Sequence, residues 1–238
     1  MMPTSALEAS TTRRIRRDDP DLLATIPGLA CSVRDDRARL KWANHTYSRE
    51  VFGSDSVPAS RLDKDLHDIV CDAAAEERQA LQRQVINTGT PALCYQLHCD
   101  RRALAVVLPL DPESFGHAGV LSVCNLSPGV VPAPYGDTVH TLRTPVKPGQ
   151  LALLTRRELE VIYLCAQGLS VPQIAEKLFR STKTMENHIR SIHIKLGIRG
   201  RGDLVRYCVE RGLHAFRWEE WLDIIEHLES AEPSGLDD

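Results

Sequence analysis

LTRRELEVIYLCAQGLSVPQIAEKLFRSTKTMENHIRSIHIKLG, residues 154–197, holds three short amphipathic patterns separated by tight turns. They run Thr155–Gln167, Ser170–Leu178 and Ser181–Leu196, and a fourth follows from Asp203 to Arg211. Each of the first three opens on Thr or Ser, whose hydroxyl can take a free backbone N–H at a helix start. Thr155 has Glu158 three residues on and Ser170 has Gln173, so both starts are predicted capping boxes. Gly168 and Gly197 fall just past the first and third patterns, where a positive φ is often needed. Val161, Ile162 and Cys165 share one side of the first helix, and Ile174, Ala175 and Leu178 one side of the second. Met185, Ile189, Ile192 and Leu196 recur at steps of four, three and four along the third. Three faces this narrow can close one small core.

What remains on the third helix is Lys183, Glu186, Asn187, Arg190 and Ser191. These side chains suit phosphates and base edges: Asn pairs with adenine, Arg with guanine, and Glu accepts from a cytosine amino group. Lys183 and Thr184 lie at the helix N-terminus, where backbone amides also favour phosphate. His188 borders the buried stripe, and its reading stays open between packing and a phosphate bond. Lys195 and Arg199 are placed for phosphate contacts or for none. The plain alternative for the whole face is an ordinary solvated helix.

The run Leu154 to Val161, then Gly168-Leu169-Ser170, Ile174-Ala175, Ser181 to His188 and Lys195-Leu196-Gly197 resembles the LuxR-type (GerE-like) helix-turn-helix of bacterial transcription factors. The resemblance runs without gaps over about sixty residues and takes in Arg201, Leu204 and Gly212-Leu213. It implies that the second and third helices form the motif and that the third enters a major groove. The fourth would pair with a second protomer, through Leu204, Val205 and Cys208. It implies double-stranded DNA, a second copy of the chain and RNA polymerase as partners. Two positions depart from the pattern. Arg180 stands where the family usually buries an aliphatic residue, and Glu186 stands where many members carry Lys.

Residues 21–126 read as a single α+β domain. Strands are expected at Leu29–Val33, Ala38–Trp42, Ala92–His98, Ala103–Leu110 and Ala118–Leu126, and helices at Asn44–Phe52 and Asp72–Asn87. Two strands, helices, then three strands is an order similar to that of a PAS sensor domain, with Trp42-Ala43-Asn44 and Thr88-Gly89-Thr90-Pro91 as supporting fragments. The resemblance implies a five-stranded antiparallel sheet and a small pocket. The cofactor is left unknown: haem on His45, His67, His98 or His117 and a small-molecule ligand are the options, and a lone histidine is more often structural. An acyl-homoserine-lactone type of ligand domain has a comparable layout and stays open as an alternative. So does an interaction module whose helix-turn-helix does not bind DNA.

The expected architecture is an α+β PAS-like N-terminal domain plus an all-α helix-turn-helix domain of four to five helices. The remaining divisions are a flexible tail at 1–20 with Arg13-Arg14-Ile15-Arg16-Arg17, and a Pro-rich linker at 127–150. Helix-turn-helix follows at 151–213, then an amphipathic helix and acidic tail at 214–238. In that last segment Trp218, Trp221, Leu222, Ile225 and Leu228 form one stripe, equally suited to its own domain or to a partner. The net charge of −3 conceals a division: residues 151–213 carry 11 Lys and Arg against 6 Asp and Glu, while residues 214–238 carry 1 against 8. Seven scattered cysteines without CxxC spacing read as reduced thiols rather than disulfides or a zinc site. Neither a phosphate loop nor an HExxH pair is present, so no enzyme is expected. The absence of a long apolar run or an apolar N-terminal segment points to a cytoplasmic chain without membrane spans.

Overall fold

The computed structural model describes residues 28–126 and 139–230. Arg13–Arg17, the prolines at 128, 132 and 134, and the tail from 231 lie outside the described residues. The chain divides into two compact units. Of the described residues, those up to Leu93 join with Ala105–Asn125, and Cys94–Leu104 joins with those from Leu126 on.

In the first unit, β1 (Leu29–Asp35) pairs antiparallel with β2 (Leu40–Ala43) and with β5 (Gly119–Asn125). β4 (Arg101–Pro109) follows β5, so the strand order within this unit is β2-β1-β5-β4, while β3 (Ala92–His98) and β6 (Val139–Thr141) fall mainly in the second unit. Between β2 and β3 lie α1 (His45–Phe52) and α2 (Asp72–Thr88), and a single turn, α3 (Pro112–Phe115), separates β4 from β5. Asn44 starts α1 and joins it to the sheet. Its side-chain oxygen accepts from Tyr47 N at 2.9 Å and from Cys31 N at 3.0 Å, and its amide donates to Leu29 O at 2.7 Å. Gly119 is required by close approach: a Cβ there would sit 2.1 Å from the Arg34 carbonyl oxygen on the paired strand. Cys31, Val33, Leu110 and Leu121 pack together on one face of the sheet.

The second unit is helical. It contains α4 (Arg156–Ala166), α5 (Val171–Lys177), α6 (Thr182–Leu196), α7 (Arg201–Glu210) and α8 (Trp218–Ser230). Both expected capping boxes form, at Thr155/Glu158 and at Ser170/Gln173. Gly168 and Gly197 adopt φ of 82° and 65°. The core joins Leu159, Ile162, Ile174, Met185, Ile192 and Leu204 with Trp221, Ile224 and Ile225 of α8.

Thus α8 packs on its own domain, which resolves the choice left open by its apolar stripe. Trp221 is fully buried, its indole N–H donates to Leu159 O at 2.9 Å, and its ring stacks 5.8 Å from Tyr163. Tyr163 in turn donates its hydroxyl to Phe216 O at 2.8 Å. The acids of α8 find local partners. Asp223 pairs with Arg143 at 3.3 Å, and Glu220 accepts from the Thr141 hydroxyl at 2.6 Å.

Two expectations need correction. The segment 127–150 is not linker throughout: β6 forms within it, and Leu142 is buried. The tip of the β3–β4 hairpin belongs with the helices rather than with the first unit. Leu97 lies in the helical core, and Arg102 N donates to Arg211 O at 2.8 Å. The Arg102 guanidinium covers the Tyr95 ring at 3.3 Å, and Asp100 accepts from the Tyr207 hydroxyl at 2.8 Å. Cys99 and Asp100 both take positive φ, as a two-residue hairpin turn demands. Gly212 fits this packing, since at its φ of 69° a Cβ would meet Arg102 Cβ at 3.2 Å.

Trp221→Ala removes a fully enclosed ring and its hydrogen bond, and is expected to destabilise the helical unit by about 3–5 kcal/mol. Urea denaturation of the full chain followed by circular dichroism measures this.

Candidate nucleic-acid interface

The site is built on α6. Ser181 caps its start, taking Thr184 N at 3.1 Å and sharing a hydroxyl hydrogen bond with Thr184 at 2.8 Å. Met185, Ile192 and Leu196 are buried and fix which side of the helix faces inward. The opposite side carries Lys183, Glu186, Asn187 and Arg190, all exposed. Lys183 and Glu186 form a surface pair at 3.4 Å. Among the described residues, Asn187 and Arg190 have no hydrogen-bond or ionic partner, so their donors and acceptors are free for a ligand. His188 is half-buried at the margin of the core stripe, and Arg199 is exposed in the turn after Gly197.

Lys195 and Ser191 are committed elsewhere. The Lys195 ammonium donates to Glu158 Oε2 at 2.7 Å, and that same oxygen takes Thr155 N at 2.8 Å. Glu158 is 3% exposed. Burial alone would raise its pKa, but the bonds from Lys195, Ser191 and Thr155 N–H outweigh it and bring the carboxyl down to about 2. Lys195 and Ser191 therefore brace α6 against the start of α4; of the two readings of Lys195, a phosphate contact or none, the ion pair with Glu158 favours the second.

On α7 the expected pairing residues divide. Leu204 and Cys208 are fully buried, and the Cys208 thiol donates to Ile162 O at 3.8 Å. They cannot form a surface in this fold, because the stripe at i and i+4 is the one that faces the core. Val205 is half-buried, and Val209, which the sequence reading missed, is 47% exposed on the outer side with Arg206. Arg180 is exposed in the turn before α6, its guanidinium donating to Phe179 O at 3.0 Å, so the departure from an aliphatic residue leaves no buried charge.

A capped, short-turned α5–α6 pair braced by α4 and α7 is a helix-turn-helix domain. Residues 152–208 match the GerE family model, that of bacterial regulatory proteins of the luxR family. The oxygen regulatory protein NreC of Staphylococcus aureus is 44% identical over 64 residues, which are 27% of this chain and 30% of that protein. The chain therefore spans about a third of the length of the curated relatives it matches. Among solved structures, a Vibrio cholera VqmA–ligand–DNA complex covers 86% of this chain and 92% of its own, at 20% identity and a TM-score of 0.46. The PAS domain of histidine kinase ThkA covers 41% of this chain and 97% of its own, at 17% identity and a TM-score of 0.32. No described helix is long and apolar enough to cross a membrane.

The lowered pKa of Glu158 sets a pH dependence. A folded value of about 2 lies below the ordinary 4.5, so the stabilisation is complete above 4.5 and is lost as pH falls from 4.5 towards 2. Glu158→Gln is expected to lower stability at neutral pH and to flatten the acid limb over that window. Melting temperatures of both chains measured from pH 2 to 7 test this.

Proposed function

We propose that this chain is a dimeric, sequence-specific DNA-binding regulator of transcription whose N-terminal α+β unit senses a signal. The observation that carries the reading is the outer face of α6. Unpartnered Asn187 and Arg190 lie beside Lys183 on a helix whose other side is buried and braced through Glu158. An N-cap at Ser181 leaves the first turn of α6 open to phosphate, and Asn187 and Arg190 supply base-edge recognition of adenine and guanine. Glu186 adds an acceptor for a cytosine amino group, which sets a base preference apart from that of Lys-bearing relatives. Arg199 and His188 lie at the margins as phosphate contacts.

The PAS-like reading of the first unit is supported by its order of two strands, two helices and three strands. Pairing of protomers is assigned to the outer side of α7, at Val205 and Val209, with Leu204 and Cys208 supporting that helix from within. Two recognition helices related by such an axis would meet half-sites about 10 base pairs apart. A signal in the first unit would act by shifting the population of DNA-competent dimers.

Retention of random duplexes, followed by sequencing of the bound pool, tests the reading. Enrichment of a palindromic motif is expected, and no retention at low salt would leave an interaction module instead. Arg190→Ala is expected to weaken specific binding by about 1–3 kcal/mol and relax one position of the motif, while Lys183→Ala lowers the salt slope by about one. Val209→Asp is expected to raise the dimer dissociation constant by about tenfold, ~1.4 kcal/mol, as read by sedimentation.

A further inference from the structure

The outer face of α6 carries one residue that the account of DNA recognition has not used. Ile194 is 75% exposed, while Ile192, two residues away on the same helix, is fully buried. A scattered surface isoleucine is ordinary, but this one has a defined position. Lys183, Asn187, Arg190 and Ile194 follow one another at steps of four, three and four. Seven residues are about two helical turns, so Ile194 projects within roughly 20° of Asn187 and about 10 Å further along the axis. Met185, Ile192 and Leu196 occupy the opposite side. Ile194 therefore lies at the middle of the outward stripe rather than at its margin. Any surface that Asn187 and Arg190 meet together continues onto it.

We infer that Ile194 is a specificity-determining residue that packs on the 5-methyl group of a thymine in the bound duplex. This rests on the DNA-binding reading above and adds an apolar contact to its polar ones. The major groove offers one apolar feature at base level, the thymine methyl, and aliphatic side chains read it by contact. The charged and amide groups before Ile194 on the stripe cannot make that contact. An isoleucine is also a poor partner for phosphate, so a stripe ending on it selects for sequence rather than for backbone charge. The position at the far end of the helix puts the preferred thymine at the edge of each half-site, beyond the bases met by Asn187 and Arg190.

The test uses the full-length chain and the duplex motif that wild type itself retains. Each thymine is replaced in turn by deoxyuracil, which lacks only the methyl group. Wild type is expected to lose about fourfold in affinity at one thymine per half-site, the worth of one buried methyl. Ile194→Ala is expected to bind the unmodified motif about fourfold more weakly and to be indifferent to uracil at that thymine alone. Because Ile194 is exposed, its variant should melt with wild type, which shows that the fold is intact. Uracil sensitivity that is absent from wild type, or equal in Ile194→Ala at the same position, overturns the inference while leaving DNA binding in place. Failure of wild type to retain any duplex overturns both.

Discussion

A buried carboxylate holds the helical unit in its working arrangement. Glu158 closes the capping box at the start of α4 and, through the same oxygen, receives the ammonium of Lys195 from the last turn of α6. Sealing an ion pair from water is costly unless further donors satisfy the carboxylate. Here Thr155 N–H and the Ser191 hydroxyl supply them. The result is a polar pin between two helices that otherwise meet through aliphatic side chains. Apolar contact alone tolerates rotation of one helix against another; a hydrogen-bonded pin does not. The direction in which Asn187 and Arg190 project follows from it.

Much of this was legible in the residues. Capping chemistry is local, so Thr155, Ser170, Ser181, Gly168 and Gly197 marked the helix ends, and the periodic apolar residues of α6 marked its inner face. Asn44, at the head of the helix expected over Asn44–Phe52, marked the start of α1 for the same reason. Long-range partnerships were not legible. Nothing near Lys195 in the sequence shows that Glu158, 37 residues earlier, takes its charge. The apolar positions of α7 were visible, but an apolar stripe has no label saying whether it meets its own core or another molecule. Leu204 and Cys208 turned inward, and Val209 was left outside.

The same ambiguity applied to the C-terminal segment. Its tryptophans fitted a partner surface as well as a core. What decides the matter is the pairing of Trp221 with the Leu159 carbonyl and the Tyr163 ring, and of Lys177 over Trp218 at 5.7 Å. The addition of α8 gives the domain a fifth helix and encloses the side of α4 that four helices leave open.

The hairpin tip at Cys94–Leu104 makes the boundary between the two units discontinuous along the chain. Excision of the C-terminal half at residue 126 would strip Leu97 from its core, leave Tyr207 and Arg211 without Asp100, and uncover the Phe216 ring that Arg102 shields at 5.2 Å. A fragment made that way would expose sticky surface, and its solubility and stability would misreport those of the intact chain.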